Sequence, residues 1–164
     1  MSVTTIPALN IEALIASLEG SRTYFAKSTE LLTEEDSGFK PTEDAFTVAG
    51  QVAHVAESID WFLGAVENEE GFDMDFEAAF AKAAKVKSLN EARAWLDKAY
   101  ERGLELLRTL DAEVWLSPLP EGPVMGGAPR LAVINGIVEH TAHHRGALTV
   151  YSRLQGKVPP MPYM

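Results

Sequence analysis

Four histidines, His54, His140, His143 and His144, are the residues of this 164-residue sequence whose types and spacing best suit chemistry. His140 and His144 stand four apart. On a helix turning about 100° per residue they differ by about 40°, so both rings project from one face, one turn apart. That spacing lets two imidazoles reach one metal at about 2.0–2.1 Å. His54 sits in an apolar stretch far upstream. It supplies a third nitrogen if its helix packs beside the one carrying the pair. Three neutral imidazoles on rigid helices leave a coordination position open, the pattern of a catalytic rather than a structural zinc. A single histidine beside an apolar stripe is more often a satisfied core or surface residue, so the pair carries more weight than His54 alone. Two familiar metal motifs are excluded. Thr141 stands where an HExxH motif needs Glu, and Gln51, Ile137, His140 and Thr141 stand where Glu-x-x-His needs Glu.

Other residues fall near these histidines by spacing. His143 is three after His140, where it serves either as an outer donor or as a surface residue. Glu57 and Ser58 follow His54 by three and four positions. No catalytic residue is assigned, but Glu57 is the candidate carboxylate for orienting a water or acting as general base, against a solvated surface role. Trp61 and Tyr151 lie seven residues beyond His54 and His144, two turns along the same faces, as pocket walls or as core or dimer contacts. Arg145 is expected to pair with a carboxylate on another helix, and Gly146 to let two helices approach closely.

The elements that must position these residues are helical, because apolar periodicity is near 3.6 and no run of period two occurs. The first helix is expected from about Ala8 to Leu32, burying Ile11, Leu14, Ile15, Leu18 and Phe25. Residues 33 to 46, with Gly38 and Pro41, read as a loop. The second helix opens at the N-cap residue Thr47 and runs to about Val66, with Val52, Val55, Ile59, Phe62 and Val66 on one face. Residues 76 to 84 form a short helix. Ser88-Leu89-Asn90-Glu91 is a capping box that starts a third long helix to about Leu110, with Ala92, Trp95, Leu96, Ala99, Leu104 and Leu107 inward. Residues 112 to 129 hold too many prolines and glycines to be helical throughout. Pro129 suits the first turn of a last helix that runs to about Leu154 and stops at Gly156. The expected fold is all-α, a four-helix bundle in one domain over residues 1–164, with long connections of which at least one crosses the bundle.

Composition narrows the function classes. Hydrophobic residues make up 46% and charged residues 23%, the balance of a folded globule. The net charge of −10 disfavours nucleic acid, and the absence of cysteine removes disulfides, thiolate-bound metals and any cysteine nucleophile. The N-terminal stretch lacks the basic start of a signal peptide, and no segment reaches the about 18 apolar residues that span a bilayer, so a cytoplasmic location is expected. Residues 57 to 77 carry eight acids and no Lys or Arg. They lack the alternating pattern of an EF-hand and read as a solvated face and loop.

Taken together, these landmarks make the sequence recognisable. It resembles the DinB-like superfamily of four-helix-bundle metalloenzymes, a name shared with an unrelated DNA polymerase. The likeness rests on His54 within Gly50-Gln51-Val52-Ala53-His54-Val55-Ala56. It rests more strongly on Glu139-His140-Thr141-Ala142-His143-His144-Arg145-Gly146-Ala147-Leu148, and further on Phe39-Lys40-Pro41 and the ending Tyr151 to Pro160. Ala147 departs from the Gln that many members carry. The resemblance implies that His54, His140 and His144 bind one divalent metal, zinc or nickel first and iron also compatible, with water or substrate opposite. It implies a homodimer, and activities that include thiol-dependent transferases and isomerases using a low-molecular-weight thiol, here necessarily a separate cofactor.

Two functions are expected. One is a metal-dependent transferase or hydrolase on a small-molecule substrate, the metal activating a water or a thiol. The alternative is a non-catalytic stress-response or binding module with a structural metal. Because ligation needs neutral imidazoles, metal affinity is expected to fall below the usual histidine range near about 6.5.

Overall fold

A computed structural model describes residues 9–163. They form six helices and a 3-10 turn at Glu34–Asp36: α1 (Ile11–Thr29), α2 (Val48–Glu67), α3 (Phe76–Ala84), α4 (Leu89–Thr109), α5 (Ala112–Leu116) and α6 (Ala132–Leu154). No strand occurs among the described residues; a single antiparallel bridge joins Pro118 to Pro129. No helix among them is long and apolar enough to cross a membrane.

The helix starts follow from local chemistry. Asn10 caps α1 by accepting from the Ala13 N–H, so the helix opens there; the expected start at Ala8 lies outside the described residues. Thr47 caps α2 through the Gly50 N–H. Ser88 caps α4 through the Glu91 N–H at 3.1 Å, half of the expected box. The neighbouring orphan N–H groups of Leu89 and Asn90 are met instead by Ser37 Oγ and Glu34 Oε2 of the first connection, which ties that loop to α4. Pro129 does not lie in α6. Its carbonyl accepts from the Ala132 N–H, because the bridge to Pro118 holds it in the loop. Gly156, at φ +74°, closes α6 in a Schellman motif, with Lys157 N–H on the Ser152 carbonyl and Gly156 N–H on the Arg153 carbonyl.

The four long helices pack as a ring. α2 lies against α4 and α6, and α1 lies against the same two, so α1 and α2 are diagonal, as are α4 and α6. The connection from α1 to α2 and the one from α4 to α6 therefore cross the bundle, whereas the long acidic connection after α2 joins neighbours. The core is continuous. Leu18, Val52, Val55, Ile59, Leu63, Leu104, Leu107 and Ile137 are each buried, together with Tyr100 and Trp115. Acids of the 57–77 run act as structural anchors. Arg102 on α4 pairs with Asp60 and Glu67 on α2, and the Trp95 indole donates to Asp60. Asp75 caps α3.

The approach of α6 to α2 is set by Gly136. A Cβ there would stand 2.6 Å from the Phe62 ring. Gly146 has open space where a Cβ would go, so the close approach expected at that position occurs at Gly136, nearly three turns earlier, instead.

Candidate metal centre

Because α2 and α6 are neighbours, His54 on α2 meets His140 and His144 on α6. One ring nitrogen from each lies within 4.8 Å of the others. The rings of His54 and His144 are 4.7 Å apart and those of His140 and His144 4.4 Å apart, by centroids. The Nε2 atoms of His140 and His144 are 3.0 Å apart. Two lone pairs at that distance repel unless a proton or a cation joins them, and a cation bound to both at about 2.0–2.1 Å is compatible with the separation. His54 Nδ1 is buried with no hydrogen-bond partner. An all-imidazole donor set with an orphaned buried nitrogen fits a divalent transition metal.

Burial keeps the rings neutral. Desolvation first, and then the neighbouring histidines, push His140 down to about 4 and His144 down to about 3. Burial, and then His143, push His54 down as well. At neutral pH all three present lone pairs. Proton competition for this donor set therefore sets in below the usual histidine range, lower than the sequence leads one to expect.

The surroundings orient the rings. The Gln51 side-chain nitrogen lies 2.7 Å from His144 Nδ1. In this orientation Nδ1 accepts and the proton sits on Nε2. Turning the amide over places its oxygen against an Nδ1–H and frees the Nε2 lone pair. Gln51 is buried, one turn before His54 on the same helix face. Its signal in the sequence was a polar side chain in an otherwise apolar stretch. Phe46, just before α2, and Phe80 on α3 lie nearly parallel to His54, with centroids 5.2 and 5.1 Å from it. Phe80 is 48% exposed and forms a rim. Neither Phe was legible as part of the site, because each reaches it from a different element.

Other expected contributors fall elsewhere. His143 is exposed and touches only the edge of His144 within this group, at 4.8 Å between centroids. Glu57 is half-buried, and burial pushes its carboxyl up, with Lys82 opposing and Asp60 and Asp73 adding to the rise. Among the described residues no hydrogen bond joins it to a histidine. Trp61 packs against Phe62, Phe72 and Phe76 and donates to the Asp73 carbonyl. The Tyr151 hydroxyl donates to the Phe46 carbonyl and so steadies the ring beside His54. Arg145 meets a tyrosine, Tyr163, rather than a carboxylate.

The model of the DinB superfamily matches residues 17–148, a span that includes all three histidines. The chain belongs to the DinB superfamily. Its bundle is similar to YfiT from Bacillus subtilis, described as a probable metal-dependent hydrolase with an unusual four-helix bundle topology. The TM-score is 0.70 at 21% identity, over 96% of this chain and 94% of that one. Among curated proteins none matches the sequence. In this member of the DinB superfamily, the crossed connections place the histidine-bearing helices side by side; the fold comparison carries the likeness of the bundle alone.

Proposed function

We propose that this DinB superfamily chain is a divalent-metal-dependent enzyme acting on a small molecule, as a hydrolase or a thiol-dependent transferase. His54, His140 and His144 hold the metal. The observation that carries the reading is the convergence of three neutral imidazoles from two helices, joined by no carboxylate or fourth protein ligand among the described residues. A divalent ion there supplies Lewis acidity that activates water or a thiol at neutral pH. The chain's own residues do the rest. Gln51 fixes the His144 ring, Phe46 fixes His54, and Phe80 gives the approach an apolar wall. Zinc or nickel suits the donors best, iron also fits, and any thiol is exogenous because the chain has no cysteine. The protein acts as a single domain, as a homodimer and in the cytoplasm on this reading.

One observation favours a second reading, a stress-response or binding module with a structural metal: Glu57, the candidate base, makes no hydrogen bond to the histidines among the described residues. Metal analysis of untagged protein, followed by hydrolysis and thiol-transfer screens on metal-loaded samples, separates the two. Turnover that disappears with the metal and returns with it is expected. A fully loaded protein without turnover, and without an exchangeable ligand on the metal, leaves the module.

A further inference from the structure

Arg145 leaves part of its charge unanswered. Its Nη2 donates to the Tyr163 hydroxyl at 3.0 Å, and the guanidinium lies 5.7 and 5.5 Å from the centroids of the Tyr24 and Tyr163 rings. Its Nη1 is buried and has no hydrogen-bond partner. A buried cationic donor left unmade is costly, and native structures rarely keep one without a reason.

The Arg145 side chain also lines a cleft, beside that closed-off nitrogen. Val138, Thr141, Ala142 and Arg145 form one stripe of α6 at positions i, i+3, i+4 and i+7, and this stripe faces α1. Opposite, α1 offers Ala16, Ser17, Gly20 and Ser21, whose small side chains leave the space between the two helices unfilled. The space between is about 410 Å³, within the range of small-ligand sites. Among the described residues its lining holds the guanidinium and several hydroxyls but no carboxylate. An adjoining cleft of about 300 Å³ shares Ala142, Arg145 and Tyr163, adds Arg153, and again has no carboxylate among the described residues. In a chain of net charge −10, two adjoining clefts whose described linings carry arginine and no acid are a selective arrangement. Below them the Ser21 and Tyr100 hydroxyls are 3.1 Å apart, and Tyr100 donates to Thr141 at 3.5 Å, so the floor is fixed from three helices.

We infer that the cleft between α1 and α6 binds a small organic monocarboxylate. The carboxylate meets the Arg145 guanidinium, and the apolar body lies between Val138, Ala142 and the Tyr24 ring. A single guanidinium matches a monoanion; a phosphate calls for more donors. Arg145 stands about 100° around α6 from His144, so this site is separate from the histidine centre and does not depend on its function.

The test is a titration of the full-length, metal-loaded chain with sodium benzoate, followed by amide NMR, with neutral benzamide and inorganic phosphate as parallel arms. Benzoate should shift the Gly20 and Ser21 amides saturably, benzamide should not, and phosphate should bind more weakly. Arg145→Gln should weaken benzoate by about tenfold or more, whereas His140→Ala should leave it unchanged. Equal binding of benzamide, tighter binding of phosphate, or undiminished binding to Arg145→Gln would overturn the assignment. So would loss in His140→Ala, which would move the carboxylate to the histidine centre. If Arg145→Gln does not fold, the wild-type map decides: saturable shifts at Gly20 and Ser21 support the site, and their absence overturns it.

Discussion

At the scale of single residues, the centre separates histidines by direction. His144 projects with His140, while His143 points to solvent and meets only a ring edge. His143→Ala should therefore change metal affinity little. Gln51→Ala leaves all three imidazoles but frees the His144 ring, and should cost about 10–100-fold in affinity, as loss of an orienting hydrogen bond usually does. His144→Ala should cost more than that. Calorimetric metal titration of the three variants checks the order; abolition by His143→Ala alone would reverse the ligand assignment. The same burial sets a pH dependence. With His140 lowered to about 4 and His144 to about 3, the metal-free folded chain resists protons that the unfolded chain accepts near about 6.5. The stability from these neutral rings is whole above that pH and is lost as pH falls toward the lowered values. Denaturant midpoints of metal-free protein should drop between about pH 7.5 and 5.5, before most carboxylates titrate. A flat midpoint in wild type, or an equal drop in a His140→Leu His144→Leu variant, would contradict this.

At the scale of elements, the site depends on how closely α6 lies on α2. Gly136→Ala drives a Cβ into Phe62, whose ring is itself packed in the core. It should destabilise the fold by about 1–3 kcal/mol and weaken metal binding by moving both α6 histidines away from His54. Urea unfolding and metal titration of the same variant read the two effects; Gly146→Ala, in open space, should show neither. These contacts also mark where sequence is legible. The caps at Thr47 and Ser88, the apolar stripes of α2 and α4 and the stop at Gly156 are written in local residue chemistry, and the histidine pair is written in helical spacing. What was not legible depends on which helices become neighbours. Phe46 and Phe80 reach His54 from separate segments, and Gln51 acquires its role from a residue on α6. Arg145 finds Tyr163 from the C-terminal segment instead of an acid, and Pro129 is held out of α6 by its bridge to Pro118.

At the scale of the whole molecule, the crossed topology leaves apolar side chains outward near the end of α6. Val150, Leu154 and Val158 are 54%, 60% and 72% exposed. A face of that kind suits a second copy of the chain, and light scattering should give a dimer mass at micromolar concentration; a monomer at high concentration would set the homodimer aside. The bundle's central feature remains the meeting of α2 and α6 at three neutral imidazoles. The most direct test is titration of the metal-free chain with cobalt(II), followed by visible absorption, before and after an added thiol. The account predicts saturation at one cobalt per chain, bands of low coordination number that shift when the thiol enters the open position, and loss of those bands in His54→Ala. No saturable band, or a spectrum unchanged in His54→Ala, would contradict a metal held by His54, His140 and His144.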